Sequence, residues 1–410
     1  MARQSHTEPP VTDRKIRLGV AGLGKAFSLM VPTFANHPLI QIIAGADRRE
    51  EARARFSLDY GAKAFTTVEQ LCSERSVEAI YISTPHQFHV EHARLAADAG
   101  KHILVEKPMA LTLDECRAMI DAARAAKVQL VVGHSHSFDG PIRRTREIIE
   151  SGAVGRLRMI TALNFTDFLY RPRRPEELDT AQGGGVLFNQ APHHVDVARY
   201  LGGGRVARVH CFAGAWDPQR PTEGAYQASL TFENGVHASL TYSAYARFDS
   251  DEFCEWIAES GRPKDPKRYG ATRKALANAV AADAELDLKD ALNYGGAEYR
   301  QMPADVPRLH QHFGLLIASC EHADLRPTPQ GVVIYGDDAA RLDVVPVPDI
   351  PRDEVIGEFY DAVVHGRTPL HGGDWGLATM EVCLAMLESA RDGKAIALKH
   401  QTGLPGRSET

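Results

Sequence analysis

KHILVEKPMA, residues 101–110, decides how the rest of the chain is read. Four β-forming residues, 102–105, carry Glu106, Lys107 and Pro108 to the carboxyl end of a strand, where open α/β sheets bind ligands. Pro108 fixes its own φ and disfavours helical geometry at Lys107, so the ammonium stays at the strand end and is not wound into the helix opening at Thr112. Lys107 is therefore the first catalytic candidate; the plain alternative is a surface lysine before a helix.

Upstream, an apolar strand over 16–21 breaks into Gly22-Leu23-Gly24 and runs into a helix over 25–36. That is the strand, turn and helix of a dinucleotide fingerprint: Gly22 makes the tight turn, Gly24 lets backbone approach a pyrophosphate, and the amides of Lys25 and Ala26 open the helix towards its charge. Phe27 stands where a third glycine belongs, which predicts that helix and strand pack slightly apart. The next strand, 40–46, delivers Asp47 at about the 20-residue spacing of the acid that binds the adenosine ribose. An aspartate there repels a 2′-phosphate and points to NAD, with Arg48 and Arg49 leaving NADP as the alternative.

The alternation continues with helix 50–58, strand 62–65, helix 68–73, strand 79–83, helix 89–99, strand 102–105, helix 113–126 and strand 129–133, which predicts a doubly wound parallel sheet. Thr84 and Pro85 turn the chain beside the expected nicotinamide position, where His86 and His89 either face the cleft or cap the helix. After His134 and His136 the grammar changes. A helix at 141–151 leads to strands at 157–165, 205–215, 225–232, 236–245 and 253–259. A polar stretch at 261–305, helical at 275–282, is followed by strands at 332–335 and 340–345 and by helices at 353–365 and 376–391. This predicts an α+β second domain with a large, mostly antiparallel open sheet, one face on helices, whose clearest turn is Asn234-Gly235. The domains read as a disordered tail at 1–14, a cofactor-binding Rossmann domain at 15–135, a substrate-binding domain at 136–400 and a frayed tail at 401–410. Residues 261–305 read as an insertion over one side of the second sheet.

Among 410 residues, 44% hydrophobic and 24% charged residues give material for two cores. A net charge of -6 offers no basic face to nucleic acid or an anionic membrane. No stretch reaches the roughly 18 apolar residues of a membrane span, and the N-terminus has no apolar signal segment. A cytoplasmic protein acting on a small molecule is expected. Six cysteines without a C-x-x-C pair read as reduced, mostly buried thiols.

A second chemical stretch is RPRRPEELDTAQGGGVLFNQAPHHVD, residues 171–196. Arg171, Arg173 and Arg174 suit a carboxylate clamp, or else pair with Glu176, Glu177 and Asp179. Three glycines at 183–185 let backbone pass close to a ligand, and Asn189, His193 and Asp196 recur at helical spacing on one face. The alternative makes Asn189 a helix cap and His193 a hydrogen-bonded core residue. With Lys107, His134 and His136 at strand ends, the domain junction gathers groups suited to proton transfer. No metal is expected, because His193-His194 with Asp196 falls short of a ligand set.

The order G-x-G, Asp47, T-P-x-x-x-H, G-K-H-x-L-x-E-K-P, G-G-G-x-L, His193-x-x-Asp196 and a last helix followed by GKAIAL resembles the Gfo/Idh/MocA oxidoreductase family over nearly the whole chain. Within it, GLGKAF, TPHQFH, TDFLYRPRRPEELDT and AYARFDSDE are similar to the phthalate 4,5-cis-dihydrodiol dehydrogenases. The resemblance implies that Lys107 contacts nicotinamide and substrate, that His193 is the catalytic histidine, and that Asn189 replaces an aspartate common in the family. It implies NAD-dependent oxidation of a ring cis-diol, with the three arginines on the ring carboxylates. A sugar or cyclitol dehydrogenase is the second reading, a non-catalytic dinucleotide-binding regulator the third, and metal-dependent hydrolysis the last. A homo-oligomer, dimer or tetramer, formed through the exposed sheet is implied by the resemblance alone.

Overall fold

The computed structural model describes residues 14–35, 37–245, 247–278, 282–301 and 308–404. The expected tails therefore lie outside the described residues, apart from residue 14 and residues 401–404, as does the last residue of the helix expected at 25–36.

The first half alternates β1 (Ile16–Ala21), α1 (Lys25–Phe34), β2 (Ile40–Ala46), α2 (Glu50–Tyr60), β3 (Lys63–Phe65), α3 (Val68–Cys72), β4 (Ala79–Ile82), α4 (His89–Asp98), β5 (His102–Val105), α5 (Leu113–Ala126) and β6 (Leu130–Val132). Its strands lie in the order β3-β2-β1-β4-β5-β6, all parallel. Every residue of β4 is buried, as a strand covered on both faces requires. The helix starts follow local chemistry: the Thr67 side chain accepts from the Gln70 amide at α3, and Thr112 and Glu115 form a reciprocal capping box at α5. The strand order reverses between β1 and β4, so a crevice opens at their carboxyl ends.

The second half comprises α6 (Gly140–Glu150), β7 (Leu157–Phe165), α7 (Gly185–Asn189), α8 (Ala191–Gly202), β8 (Val206–Gly214), β9 (Ala225–Phe232) and β10 (His237–Ser243). Then come α9 (Ala271–Asn278), α10 (Ala282–Leu292), β11 (Leu315–Cys320), β12 (Asp324–Thr328), β13 (Gly331–Tyr335), β14 (Ala340–Val344), α11 (Asp353–His365), α12 (Gly373–Asp392) and β15 (Ile396–Ala397). Nine strands form one sheet, β14-β13-β12-β11-β7-β10-β9-β8-β15. It is antiparallel except where β7 meets β10 in parallel. Helices α8 and α12 pack on one face, while Met159, Phe212, Leu342 and Val344 remain exposed. The Asn234-Gly235 turn joins β9 to β10, with Gly235 at φ 83°.

Three expectations are corrected. Residues 253–259 are not a strand: a 3-10 turn at Ser250–Cys254 leads into left-handed backbone at Glu255 and Trp256, and only Ile257 bridges, to Pro263. Strands β11 and β12 escaped the pattern, being short and, in β12, carrying Pro327. The 261–305 stretch holds two helices, α9 and α10, where one was expected at 275–282. It spans the gap between the halves: Tyr294 O accepts from Arg49, Tyr294 OH donates to Asp59, and Glu285 and Asp290 hold the arginine loop. The Tyr294 ring also fills the space beside Phe27, at 4.9 Å between centroids and 77°, where the missing fingerprint glycine would leave only a small side chain. Among the described residues no helix is long and apolar enough to cross a membrane, and the six cysteines are unpaired, five of them buried.

Candidate active site

A single cleft of about 1870 Å³ runs from the carboxyl ends of the parallel strands to the edge of the second sheet. Of Lys107, His193 and the residues expected to hold cofactor or substrate, all but His89 line it.

At one end Gly22 adopts φ 90°, and a Cβ there would meet Ser83 O at 2.8 Å, so only glycine makes this turn. Gly24 starts α1 with no side-chain cap, and a Cβ on it would meet nothing within 4 Å. The first amides of α1 therefore open onto the cleft beside an open cradle, which fits a dinucleotide pyrophosphate. Asp47 also braces the turn: its carboxylate accepts from the Leu23 amide at 2.7 Å and the Arg49 amide at 2.8 Å. Each carboxylate oxygen keeps lone pairs for ribose hydroxyls. Arg48 lies against the Phe88 ring, 5.8 Å from its centroid.

Further along, Thr84 Oγ1 bonds His92, and burial holds His86 down at about 3. His89 is a correction. Its ring nitrogens lie 2.9 Å from Pro108 O and 2.9 Å from Thr84 O, so it ties the end of β4 to the turn after Lys107 and does not reach the cleft. Glu106 is buried and accepts from Tyr81 OH at 2.6 Å; burial raises its pKa. Lys107 donates to Asn189 O at 2.9 Å, and burial lowers its pKa despite Glu106 beside it.

Opposite Lys107 stands His193, 7% exposed, whose Nδ1 is buried without a hydrogen bond among the described residues. Burial first, then the charges of Lys107, His136, His134 and Arg352, hold its pKa well below the usual range. The His136 ring lies 4.8 Å from that of His193 at 69°, and Phe313 closes over both at 5.0 Å. His136 Nδ1 is 2.7 Å from the carboxylate of buried Asp139. His134 packs against Phe138 with neither nitrogen bonded among the described residues, and burial drives its pKa far down. Arg352 starts α11 at φ 58° and donates to Gln311 at 3.2 Å.

Asn189, His193 and Asp196 do not share one helical face, because the chain breaks at Gln190 between α7 and α8. Asn189 ends α7 and so caps no helix start; its amide donates to Gly183 O and Gly185 O, clasping the glycine turn. Asp196 turns away from the cleft, accepting from Trp375 Nε1 at 2.5 Å and from Ser137. Ser137 also meets His371 Nε2 at 2.8 Å, and Glu358 holds the other nitrogen at 2.9 Å. His194 bonds Tyr226 in the core. The histidine and aspartate group weighed for a metal is thus dispersed. A different trio, His134, His136 and Asp139, brings donor atoms within 4.8 Å of one another. It offers one carboxylate, and the Lys107 and Arg352 charges beside His134 oppose a dication there.

The three arginines line the cleft already paired. Arg171 meets Asp167 at 2.8 Å, Arg173 meets Glu177 at 3.5 Å and covers the Phe168 ring, and Arg174 meets Asp290 at 3.3 Å. Of the partners expected from the sequence Glu177 is used, while Asp167 lies four residues before Arg171 and Asp290 comes from distant chain. The Nε atoms of Arg173 and Arg174 are buried without hydrogen bonds among the described residues, and burial brings Arg173 down to about 10. Asp139, Phe313 and Arg352 were missed in the sequence. Only Asp139 gave a signal there, three residues after His136 in HSHSFDGP.

Comparison with known proteins adds the lineage. The NAD-binding Rossmann domain of the Gfo/Idh/MocA oxidoreductases matches residues 16–134, and the Gfo/Idh/MocA C-terminal domain matches residues 142–262. The 1-carboxy-3-chloro-3,4-dihydroxycyclohexa-1,5-diene dehydrogenase of Comamonas testosteroni is 45% identical over 377 residues, 92% of this chain and 95% of that protein. A crystal structure from Bordetella bronchiseptica, assigned as a dehydrogenase, superposes with a TM-score of 0.88 at 43% identity, covering 94% of this chain and 100% of its own. The WlbA dehydrogenase of Bordetella pertussis, solved with NADH and UDP-GlcNAcA, shares the fold with a TM-score of 0.65 at 21% identity, over 94% of this chain and 99% of its own. Glycine turn, domain matches and near full-length likeness agree: the chain belongs to the Gfo/Idh/MocA family and is an NAD(P)-dependent dehydrogenase with an NAD-binding Rossmann domain.

Proposed function

We propose that the protein oxidises a cis-diol on a carboxylated cyclohexadiene ring, with phthalate 4,5-cis-dihydrodiol as substrate and 4,5-dihydroxyphthalate as product. One observation carries the reading: Lys107, Arg352 and His193 line one cleft, and among the described residues neither cation has a carboxylate within 4.0 Å. Two buried cations with no carboxylate at salt-bridge distance suit an anionic substrate better than a neutral sugar. The Comamonas relative, named for a carboxylated dihydroxycyclohexadiene, supports the same class.

Gly22, Gly24, Lys25, Ala26, Asp47, Arg48, Thr84, Pro85, His86 and Glu106 hold the cofactor in this reading. Bound NAD supplies the hydride acceptor for the carbinol C–H. His193 accepts the hydroxyl proton, and Lys107 donates a hydrogen bond to the oxygen as it gains negative charge. The ring ketone then enolises to the catechol. Arg171, Arg173 and Arg174 hold the ring carboxylates, the latter two with unspent Nε donors, and Asn189 keeps the glycine turn in place beside them.

The test mixes purified protein and NAD with the phthalate diol, with inositol and with common sugars, and follows NADH. NADH from the diol acid alone is the expected result. NADH from sugars instead overturns the substrate assignment, and silence with every substrate favours a dinucleotide-binding regulator.

A further inference from the structure

Proton release poses a problem that His193 alone does not solve. A histidine that takes a proton becomes a cation, and burial together with the nearby Lys107 and Arg352 charges disfavours that cation at position 193. Among the described residues its Nδ1 meets no carboxylate, and Asn189, at the end of the preceding helix, spends its amide on two glycine carbonyls. Of the imidazoles of His134, His136 and His193, only that of His136 has a carboxylate on its ring among the described residues, that of Asp139 at 2.7 Å with both groups buried. A neutral imidazole that donates Nδ1–H to an aspartate keeps Nε2 free as acceptor and is held as an ion pair once protonated.

We propose that the Asp139–His136 pair receives the proton that His193 takes from the alcohol. The substrate O–H bond breaks as an N–H bond forms on His193. That N–H bond then breaks as the proton passes to His136 Nε2 across rings 4.8 Å apart, and the imidazolium formed is balanced by Asp139. The electron pair of the C–H bond leaves to the cofactor, so no other reactant is needed. His136 and Asp139 are thus positioning residues, acting through His193. The inference rests on the oxidation of an alcohol in this cleft, whichever alcohol that is. His134, His193 and His194 face the His136 imidazole, and His310, Arg352 and Glu354 face Asp139. None of them places a second carboxylate on the His136 ring among the described residues.

The test compares His136→Asn, Asp139→Asn and the double variant in the full-length enzyme. Each single variant is expected to lose kcat by about 100-fold or more. The double variant is expected to lose no more than the worse single, because the two residues act as a unit. NADH binding, read by fluorescence, stays at the wild-type level. Activity of His136→Asn climbs steadily with rising pH as hydroxide replaces the missing acceptor, a recovery that a loss of packing would not give. Wild-type kcat in His136→Asn, or losses that multiply in the double variant, overturn the proposal. If Asp139→Asn no longer binds NADH, His136→Asn decides alone by the same criteria. A wild-type enzyme that ignores the diol acid but oxidises a sugar or cyclitol overturns the substrate reading only, and the variants are then compared on that alcohol. Silence with every alcohol overturns both.

Discussion

The two ends of the cleft are built in opposite ways. In the proposed reading the pyrophosphate and ribose end comes from one β-α-β unit, β1 to β2, in which consecutive residues make a turn whose backbone faces the cofactor. The other end draws Lys107, His136, His193, Phe313 and Arg352 from separate elements of both halves, with Asp139 behind His136, and in the proposed reading side chains do the work there. Damage at the first end should therefore appear in folding and cofactor affinity, and damage at the second in turnover.

Lys107→Ala gives the sharpest contrast. Losing the buried ammonium proposed to meet the developing oxyanion should cost about 1000-fold in kcat, with NADH affinity little changed, as steady-state rates and fluorescence titration would report. Gly22→Ala should do the reverse. Its Cβ meets Ser83 O at 2.8 Å at φ 90°, so the variant should lose roughly 1–3 kcal/mol of stability, measurable as a lowered Tm, together with NADH binding. A Gly22→Ala enzyme with normal cofactor affinity would break the division of labour. Asp47→Ala removes the acceptor of the Leu23 amide and the charge that repels a 2′-phosphate. It should weaken NAD by about 10- to 100-fold and narrow the gap to NADP, since one lost charged hydrogen bond is worth roughly 1.5–3 kcal/mol.

The smallest effect should come from Glu358→Gln, behind the substrate end. Burial opposes charge on His371, but Glu358 outweighs it and raises the histidine's pKa, while His371 pulls the Glu358 carboxyl down against its own burial. The histidine's contribution is present below its ordinary value and fades as pH rises through the raised one. The carboxylate's contribution is present above its ordinary value and fades in acid. Glu358→Gln should then cost about 1–2 kcal/mol in mildly acidic buffer and less in alkaline buffer, by denaturant titration at both pH values. An equal cost at both would mean that the pair is not ionised.

The same contrast explains what was legible in the sequence. Strands β1, β2, β5, β7 and β9 and helices α5 and α11 were readable to the residue, because caps and apolar runs are local signals. The glycine turn and the place of Lys107 just past a strand end were readable for the same reason. His89 was misplaced because one imidazole spacing serves a cap, a cleft or a strut alike, and only the carbonyls of Thr84 and Pro108 decide. The break at Gln190, which separates Asn189 from the face carrying His193, leaves no mark in a pattern that runs helical on both sides. Arg352 was illegible: nothing near it in the chain foretells that it lines one cleft with Lys107 and His193. The same holds for Tyr294, which fills the space beside Phe27 from far along the chain.

The central claim is that unpaired cations at the substrate end select an acid. It is tested most directly by the ratio of kcat/KM for the phthalate cis-diol to that for the same ring diol without carboxylates, at one NAD concentration. The account predicts that the acid is preferred by about 100-fold or more, the value of roughly 2–5 kcal/mol for a satisfied buried charge. A ratio near unity, or a preference for the neutral diol while NADH binds normally, would contradict it.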